Sequence, residues 1–236
     1  VGTFKANKLP ERLIIKHNLF SAVSEDYRLL RSKIQYVAAR WQRRVLIVTS
    51  ASSQDLQSVV TANLAIVMAQ AGLRTVVIDT NLRHPRQHEL FELTNDQGLA
   101  ETLHAADEDC SAVLQETSVH NLWVLTAGSL PTLYPTELLS SPRMQKLLDR
   151  LSKEVDVVLC ESAEVVHYAD TMVLSSQVDG VVLVVDGSKS ERAITSQAVG
   201  DLKQAGANLI GAVIQSSKVP NSTQAWTSPA NNARSN

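Results

Sequence analysis

The chain has 236 residues, of which 44% are hydrophobic and 19% are charged, and its formal net charge is −2 at pH 7. This composition can bury one large core, and an α/β domain of this length need not be divided. The charge gives no reason to expect nucleic acid as a partner, and no apolar run is long enough to span a bilayer. Two cysteines are too few for a disulfide scaffold, so we expect a reduced, single-domain chain.

The two ends of the chain show no sustained periodic pattern. Residues 1–20 mix charges with a short apolar patch and are predicted to form an N-terminal arm. Residues 219–236 are mostly Asn, Ser, Thr, Pro and Ala, which predicts a disordered tail. The chain begins with Val1 rather than Met, which suggests that a segment upstream was removed.

The first periodic segment follows Ser21. Its apolar residues fall at spacings of three and four, which predicts an amphipathic helix with Ser24 as its N-cap. Other faces of this helix carry Glu25, Arg28 and Arg31, spaced three apart. From the spacing alone, these three form a solvated face with one ion pair worth about 0.3 kcal/mol.

Strand-like and helical segments alternate along the rest of the domain. The predicted strands are 45–49, 75–79, 122–126, 155–160, 181–185 and 209–214, and the predicted helices are 58–71, 141–153, 168–176 and 190–205. A strand, helix and strand within about 35 residues form a βαβ unit, which implies a parallel pair of strands. We therefore predict an α/β fold over residues 21–218: a doubly wound, mostly parallel sheet flanked by helices.

The segment VLIVTSASSQDLQSVVTANLA, residues 45–65, has the layout of a phosphate-binding loop between a strand and a helix. The expected pattern is G-x-x-x-x-G-K-[S/T]. Leu56 stands at the second glycine, Gln57 at the lysine and Ser58 at the hydroxyl. A neutral Gln57 brings no charge to a phosphate, and a leucine costs about 1–2 kcal/mol where the glycine takes a left-handed conformation. The segment therefore keeps the strand–loop–helix layout of a nucleotide site but lacks most of the residues that bind phosphate.

Several segments resemble, in order and spacing, the cytoplasmic domain of bacterial tyrosine kinases that regulate capsule and exopolysaccharide export. They are SEDYRLLRSKIQYV, ANLAIVMAQAGLRTVVIDTNLRHPRQHELF, GLAETLH, AGSLPTLYPTELLSSPRM and VDGVVLVVDGS. The resemblance implies a P-loop NTPase-like fold that binds ATP or ADP with Mg²⁺. It also implies a cytoplasmic protein at the inner face of the cell membrane, beside a membrane-spanning polysaccharide co-polymerase.

The motifs of that family are only partly kept. The family has Pro-Gly-Glu-Gly-Lys-Ser in the first motif, Asp-x-Asp in the second and Asp-Thr-Pro-Pro in the third. Asp79 keeps the first acid of the second motif, Asn81 replaces the second acid, and Glu161 begins the third motif. No tyrosine follows Tyr168, whereas the family has several near its C-terminus. The resemblance implies a degenerate nucleotide site without an assigned catalytic residue: Ser53, Gln54, Asp55, Leu56, Gln57, Ser58, Asp79, Asn81 and Glu161.

Three retained features have alternative interpretations. Ser58 is either a helix cap or a metal ligand, and Asp79 either accepts hydrogen bonds from a loop or binds Mg²⁺. Glu25, Arg28 and Arg31 match a Glu-x-x-Arg-x-x-Arg motif through which relatives form ring-shaped oligomers. The resemblance therefore implies a homo-oligomer, or a hetero-oligomer with related kinase chains.

Three functions are considered. The first is a pseudokinase that acts as an assembly or regulatory partner in polysaccharide biosynthesis and export. The second is a diverged but active ATP-dependent protein-tyrosine kinase that takes a lysine from elsewhere, for which Lys189 is a candidate. The third and lowest-ranked is a partitioning-type ATPase, a class that needs the loop lysine and lacks the Glu-x-x-Arg-x-x-Arg helix.

Overall fold

The computed structural model describes residues 13, 21–41, 43–52, 56–105, 111–129, 134–187 and 192–215. The predicted arm other than Leu13, the predicted tail, the loop residues 53–55 and Lys189 lie outside them. The helices are α1 (Ala22–Ala38), α2 (Leu56–Gln70), α3 (Gln87–Phe91), α4 (Leu99–His104), α5 (Pro135–Leu139), α6 (Pro142–Glu154), α7 (Asp170–Ser175) and α8 (Arg192–Gln204). The strands are β1 (Val45–Ser50), β2 (Thr75–Asp79), β3 (Gln115–Glu116), β4 (Leu122–Leu125), β5 (Val157–Glu161), β6 (Gly180–Asp186) and β7 (Leu209–Gln215).

In the described residues, seven strands form one sheet in the order β3-β4-β2-β5-β1-β6-β7. Every neighbouring pair is parallel except β3 and β4, which are antiparallel. Strands β1, β2 and β5 are buried along their whole length, as expected for parallel strands covered on both faces. The predicted α/β fold is confirmed.

Two hydrophobic cores lie on opposite faces of this sheet. Leu46 and Val48 of β1 pack in the core that includes α1, α2 and α3, whereas Val45 and Ile47 pack in the core that includes α4, α6, α7 and α8. Helix α2 is buried from Gln57 to Ala69 because α1 covers the side that faces away from the sheet. Leu13, the one described residue of the arm, is also buried in the first core.

The start of α1 differs from the prediction. Ser21, and not Ser24, is the N-cap, and its hydroxyl accepts a hydrogen bond of 3.1 Å from the backbone N–H of Ser24. Both serines are good capping residues, but Ser24 is fully buried within the first turn. None of the helices in the described part of the chain is long and apolar enough to cross a membrane.

Candidate functional site

The predicted site residues that the structure describes meet at the carboxyl ends of β1, β2 and β5. Asp79, the last residue of β2, is paired in register with Glu161, the last residue of β5. Ser58 lies in the first turn of α2, which follows β1 after the loop. The side chains of Ser58, Asp79, Asn81 and Glu161 are fully buried. This is the edge of an open α/β sheet where ligands bind.

Glu161 is held by two neutral donors. The hydroxyl of Ser58 donates to Oε1, and the side-chain amide of Gln87 donates to Oε2. The same amide of Gln87 also donates to the backbone carbonyl of Ser58 at 3.1 Å. Both oxygens of the Glu161 carboxyl group are therefore satisfied within the chain, without a cation. Gln87 could not be predicted as a partner of Glu161, because this contact depends on how the loop after β2 folds.

Asp79 organises the loop that follows β2. Its Oδ1 accepts from the backbone N–H of Asn81 at 3.2 Å, and its Oδ2 accepts from those of Arg86 and Gln87 at 3.0 Å each. The side-chain oxygen of Asn81 accepts from the backbone N–H of His84 at 3.1 Å. Asp79 thus accepts hydrogen bonds from the loop, which was one of its two predicted roles. Its other predicted role, as a ligand of Mg²⁺, stays a prediction.

Burial makes the two carboxyl groups hard to ionise. It raises the pKa of Asp79 from 3.8 to about 7, against the opposing effect of the backbone N–H groups that donate to it. The pKa of Glu161 is raised well above its ordinary value, first by burial and second by the neighbouring charge of Asp79. Two adjacent buried carboxyl groups therefore oppose each other's ionisation.

The residues at the phosphate-binding positions lie at the start of α2 and in the loop before it. Leu56 begins α2 and is partly exposed, whereas Gln57 is fully buried. The hydroxyl of Ser58 points to Glu161. Ser53, Gln54 and Asp55 lie outside the described residues. Among the described residues, no group of three or more His, Cys, Asp and Glu side chains is placed to hold a metal ion.

A further carboxyl group, that of Glu164, lies in the segment after β5, which packs against the end of β1. It is only 1% exposed, and neither of its carboxylate oxygens has a hydrogen-bond partner among the described residues. The backbone N–H of the next residue, Val165, donates to the carbonyl of Ser50 at 3.0 Å, which places this segment against the end of β1.

An ion pair between Arg83 and Asp170 also holds the loop after β2. The Arg83 guanidinium donates to both oxygens of the buried Asp170, at 2.7 and 3.1 Å, and also to the hydroxyl of Thr136 at 3.3 Å. It lies over the ring of Tyr168, 4.3 Å from the ring centre. The loop that carries Asp79 and Asn81 is thereby tied to the starts of α5 and α7.

The three residues predicted to lie at an oligomer interface have different environments. Glu25 and Arg28 form an ion pair within α1, the contact that the spacing predicts. Arg31 faces inward, and its Nη1 donates to the backbone carbonyl of Val67 in α2 at 3.1 Å. At least one of the three therefore contacts its own chain, and an interface role for them stays a prediction.

Comparisons with known proteins agree on one group. A putative tyrosine-protein kinase, CapB of Staphylococcus aureus, is 34% identical over 82% of this chain and 84% of its own. The tyrosine-protein kinase YwqD of Bacillus subtilis is 32% identical over 91% of this chain and 90% of its own. No family model matches the chain.

Solved structures share the fold. The kinase domain of the Escherichia coli tyrosine kinase ETK has a TM-score of 0.81 and 26% identity, covering 92% of this chain and 84% of that one. A cell-division ATPase, MinD of Pyrococcus furiosus, has a TM-score of 0.62 and 20% identity over 73% of this chain and 72% of that one. The second likeness concerns the fold alone.

Proposed function

Since the chain belongs to the bacterial tyrosine-protein kinase family, we propose that it is a pseudokinase, a member that no longer transfers phosphate. In this proposal it acts as an assembly or regulatory partner in polysaccharide biosynthesis and export. The observation that carries the proposal is the fully buried, neutral Gln57 at the position of the phosphate-binding lysine.

The loss of the lysine matters because phosphoryl transfer depends on positioned charge. A lysine contacts the phosphates, Mg²⁺ bridges them, and a carboxylate orients the metal or the nucleophile. A hydrogen bond to a charged group is worth about 1.5–3 kcal/mol, so an uncharged side chain in this place costs more than a factor of ten in affinity or rate. Gln57 has no exposed surface with which to contact a ligand without rearrangement.

The carboxyl groups support the same conclusion. An active site of this kind uses acidic side chains to hold a metal ion directly or through water. Here Glu161 accepts from Ser58 and Gln87, and Asp79 accepts from three backbone N–H groups. A metal ion would have to share the oxygens of both groups with these neutral donors.

A nucleotide titration tests the proposal. The full chain is titrated with ATP and with ADP in the presence of Mg²⁺ by calorimetry, beside the variant Leu56→Gly plus Gln57→Lys. We expect no binding by the natural chain and measurable binding by the variant, because the variant restores the flexible residue and the cation. Tight binding of ATP by the natural chain would contradict the proposal.

An active protein-tyrosine kinase is the second candidate, and the kinase names of CapB and YwqD favour it. It requires another source of positive charge. Lys189 is the candidate donor, in a segment outside the described residues. Transfer of labelled phosphate from ATP by the purified chain, abolished by Lys189→Ala and retained by a Lys153→Ala control, would establish this alternative over the pseudokinase.

The place of action follows from the family resemblance. We place the chain at the inner face of the cell membrane, beside a membrane-spanning polysaccharide co-polymerase and related kinase chains. Co-purification of the full chain with such a co-polymerase, expressed with it, tests this part. Absence of co-purification while an active relative is retained under the same conditions would contradict it.

A further inference from the structure

A cavity of about 460 Å³ lies between the segment that follows β5 and the C-terminal end of α8. Protein cavities that bind small molecules have volumes of about 300–1,000 Å³. The lining of this cavity does not include Ser58, Asp79, Glu161 or any other described residue of the predicted nucleotide site. The cavity is therefore large enough for a small ligand, and it is separate from that site.

One wall of the cavity is apolar and is anchored to the sheet. Val165 is 1% exposed, and its backbone N–H donates to the carbonyl of Ser50, the last residue of β1, at 3.0 Å. The backbone N–H of Val166 donates to the carbonyl of Ala51 at 3.4 Å. Met172 of α7 belongs to the same lining. The side chains of Val165, Val166 and Met172 offer methyl and methylene groups, so they match an apolar part of a ligand.

The wall that α8 forms is electronegative. Asp201, which is half-buried, and Gln204 line the cavity from the last turn of this helix. Among the described residues, none forms an ion pair or a hydrogen bond with the carboxylate of Asp201. The last backbone carbonyls of a helix of 13 residues add partial negative charge at the same end. The free carboxylate and the helix end both favour a positively charged ligand.

The cationic side chains of the neighbouring elements do not neutralise this wall. Lys203 is two positions from Asp201, which places it about 200° around α8 and outside the lining. Arg192, in the first turn of α8, lies about 14 Å along the helix from Asp201. Arg83 lies over the ring of a lining residue, but it donates to both oxygens of the buried Asp170. The described residues around the cavity therefore leave the charge of Asp201 unbalanced.

We propose that this cavity binds an alkylammonium group, that is, a primary amine cation on an apolar stem. The ammonium group donates to the carboxylate of Asp201 and to the side-chain oxygen of Gln204 at the end of α8. The stem packs on Val165, Val166 and Met172. An ammonium group has three protons to donate and no acceptor, so it matches a carboxylate, an amide oxygen and a helix C-terminus at the same time.

Ligands of other charge match the cavity less well. A carboxylate or a phosphate would be repelled by Asp201 and by the end of α8. A neutral alcohol would cover the carboxylate without supplying the opposite charge. A divalent metal ion needs several oxygen ligands, whereas Asp201 is the one carboxylate among the described residues of the lining. The charge of the ligand is therefore the property that an experiment should vary.

A titration with matched small molecules tests the charge preference. The probes are hexylamine, hexanol and hexanoate, which share an apolar stem and differ in charge at neutral pH. Two-dimensional amide NMR of the full, isotope-labelled chain identifies the residues that each probe affects. We expect hexylamine to shift the signals of residues 165–169 and 201–205 with a dissociation constant on the order of 1 mM, as is usual for so small a ligand. Hexanol should bind at least tenfold more weakly, and hexanoate should not bind.

The ammonium group can belong to a free amine or to a lysine side chain of another protein, and a second pair of probes distinguishes these sources. A capped, glycine-flanked lysine peptide is compared with the same peptide acetylated at the lysine Nζ. If the unmodified peptide binds about as tightly as hexylamine, the cavity receives a lysine side chain. If hexylamine binds and the peptide does not, the cavity receives a free amine. The acetylated peptide should not bind, because it has lost the charge.

Variants test the two walls separately. Asp201→Asn keeps the shape of the side chain and removes its charge, so it should weaken hexylamine binding at least tenfold. Asp96→Asn, the control, removes an exposed acidic residue elsewhere and should leave the binding unchanged. Ala169→Leu adds an apolar side chain to the lining and should also weaken the binding at least tenfold, because it fills the space for the stem. The dispersion of the amide signals verifies that each variant is folded.

The proposal is overturned if hexylamine at about 10 mM, ten times the expected constant, shifts no signal of the lining. It is also overturned if hexanol, hexanoate or the acetylated peptide binds as tightly as hexylamine. The same holds if Asp201→Asn or Ala169→Leu binds hexylamine as tightly as the natural chain. None of these measurements involves a nucleotide, so their outcome is independent of the proposed loss of phosphoryl transfer.

Discussion

The paired carboxyl groups of Asp79 and Glu161 make the stability of the fold depend on pH. The pKa of Asp79 is about 7 in the folded chain, and its ordinary value is 3.8. Below its ordinary pKa, Asp79 is protonated in both the folded and the unfolded chain. Ionisation of Asp79 therefore takes nothing from the stability of the fold at such a pH. As pH rises toward 7, the unfolded chain ionises more readily than the folded one, and stability is lost.

The size of this effect follows from the pKa difference. Each pKa unit corresponds to about 1.4 kcal/mol, so the shift of Asp79 accounts for a loss of at most about 4 kcal/mol between pH 4 and pH 8. Glu161 acts in the same direction because its pKa is also raised. Glu161→Gln keeps the shape of the protonated acid and removes its charge. We expect this variant to lose less stability than the natural chain as pH rises from about 4 to about 8, because one of the two buried groups that would ionise has been removed.

Urea denaturation followed by circular dichroism, at several pH values between about 4 and 8, measures the free energy of unfolding of both proteins. Glu116→Gln, which removes an exposed carboxylate of β3, is the control and should follow the natural chain at every pH. The reasoning would be refuted if Glu161→Gln lost as much stability as the natural chain between pH 5 and pH 8.

Three further pairs of substitutions test individual contacts by the same denaturation assay. Arg83→Ala should cost about 3 kcal/mol, because it removes the cation beside a fully buried carboxylate that then keeps only the hydroxyl of Thr136, and Arg83→Lys should cost less; equal losses would contradict the role of the charge. Gly98→Ala should destabilise the chain by more than about 1 kcal/mol, because the new Cβ would lie 2.2 Å from a backbone oxygen, whereas Gly200→Ala, with nothing within 4 Å, should stabilise it by about 0.5–1 kcal/mol. Arg31→Gln should cost about 1 kcal/mol through its lost bond to α2, and Arg28→Gln less than about 0.5 kcal/mol; the reverse order would show that Arg31 does not anchor α1.

The sheet was predictable because its central strands are continuous apolar runs between turn residues. β1, β2 and β5 are buried on both faces, so each is a mostly apolar segment rich in β-branched residues. The short helices α3, α4 and α5 were missed, since five or six residues do not complete enough turns to show a period. The helix predicted to begin at Ser58 begins at Leu56, which places the lysine-equivalent residue inside its first turn.

The sequence predicts which residues stand at the positions of a nucleotide site, but not what they contact. The family pattern places Leu56, Gln57, Ser58, Asp79 and Asn81 at these positions, and their membership of a nucleotide site stays a prediction. The partners of Glu161 depend on a loop conformation that spacing does not encode. The sequence also does not show which way the side chain of Arg31 points. An arginine at the edge of an amphipathic stripe can face solvent or donate to a backbone carbonyl.

Helix α2 makes different contacts at its start and in its later turns. The first turn of α2 holds the altered residues Leu56 and Gln57, and the carbonyl of Val67, about three turns later, holds Arg31 of α1. The contacts that fix α1 come from the later turns of α2 and from the core, so changes in the first turn leave them intact. Substitutions in the first turn of α2 should therefore leave the packing of α1 unchanged. Displacing α1 would instead expose the apolar side of α2, which is buried from Gln57 to Ala69. The position of α1 thus depends on its packing against α2 and the core, and not on the residues that begin α2.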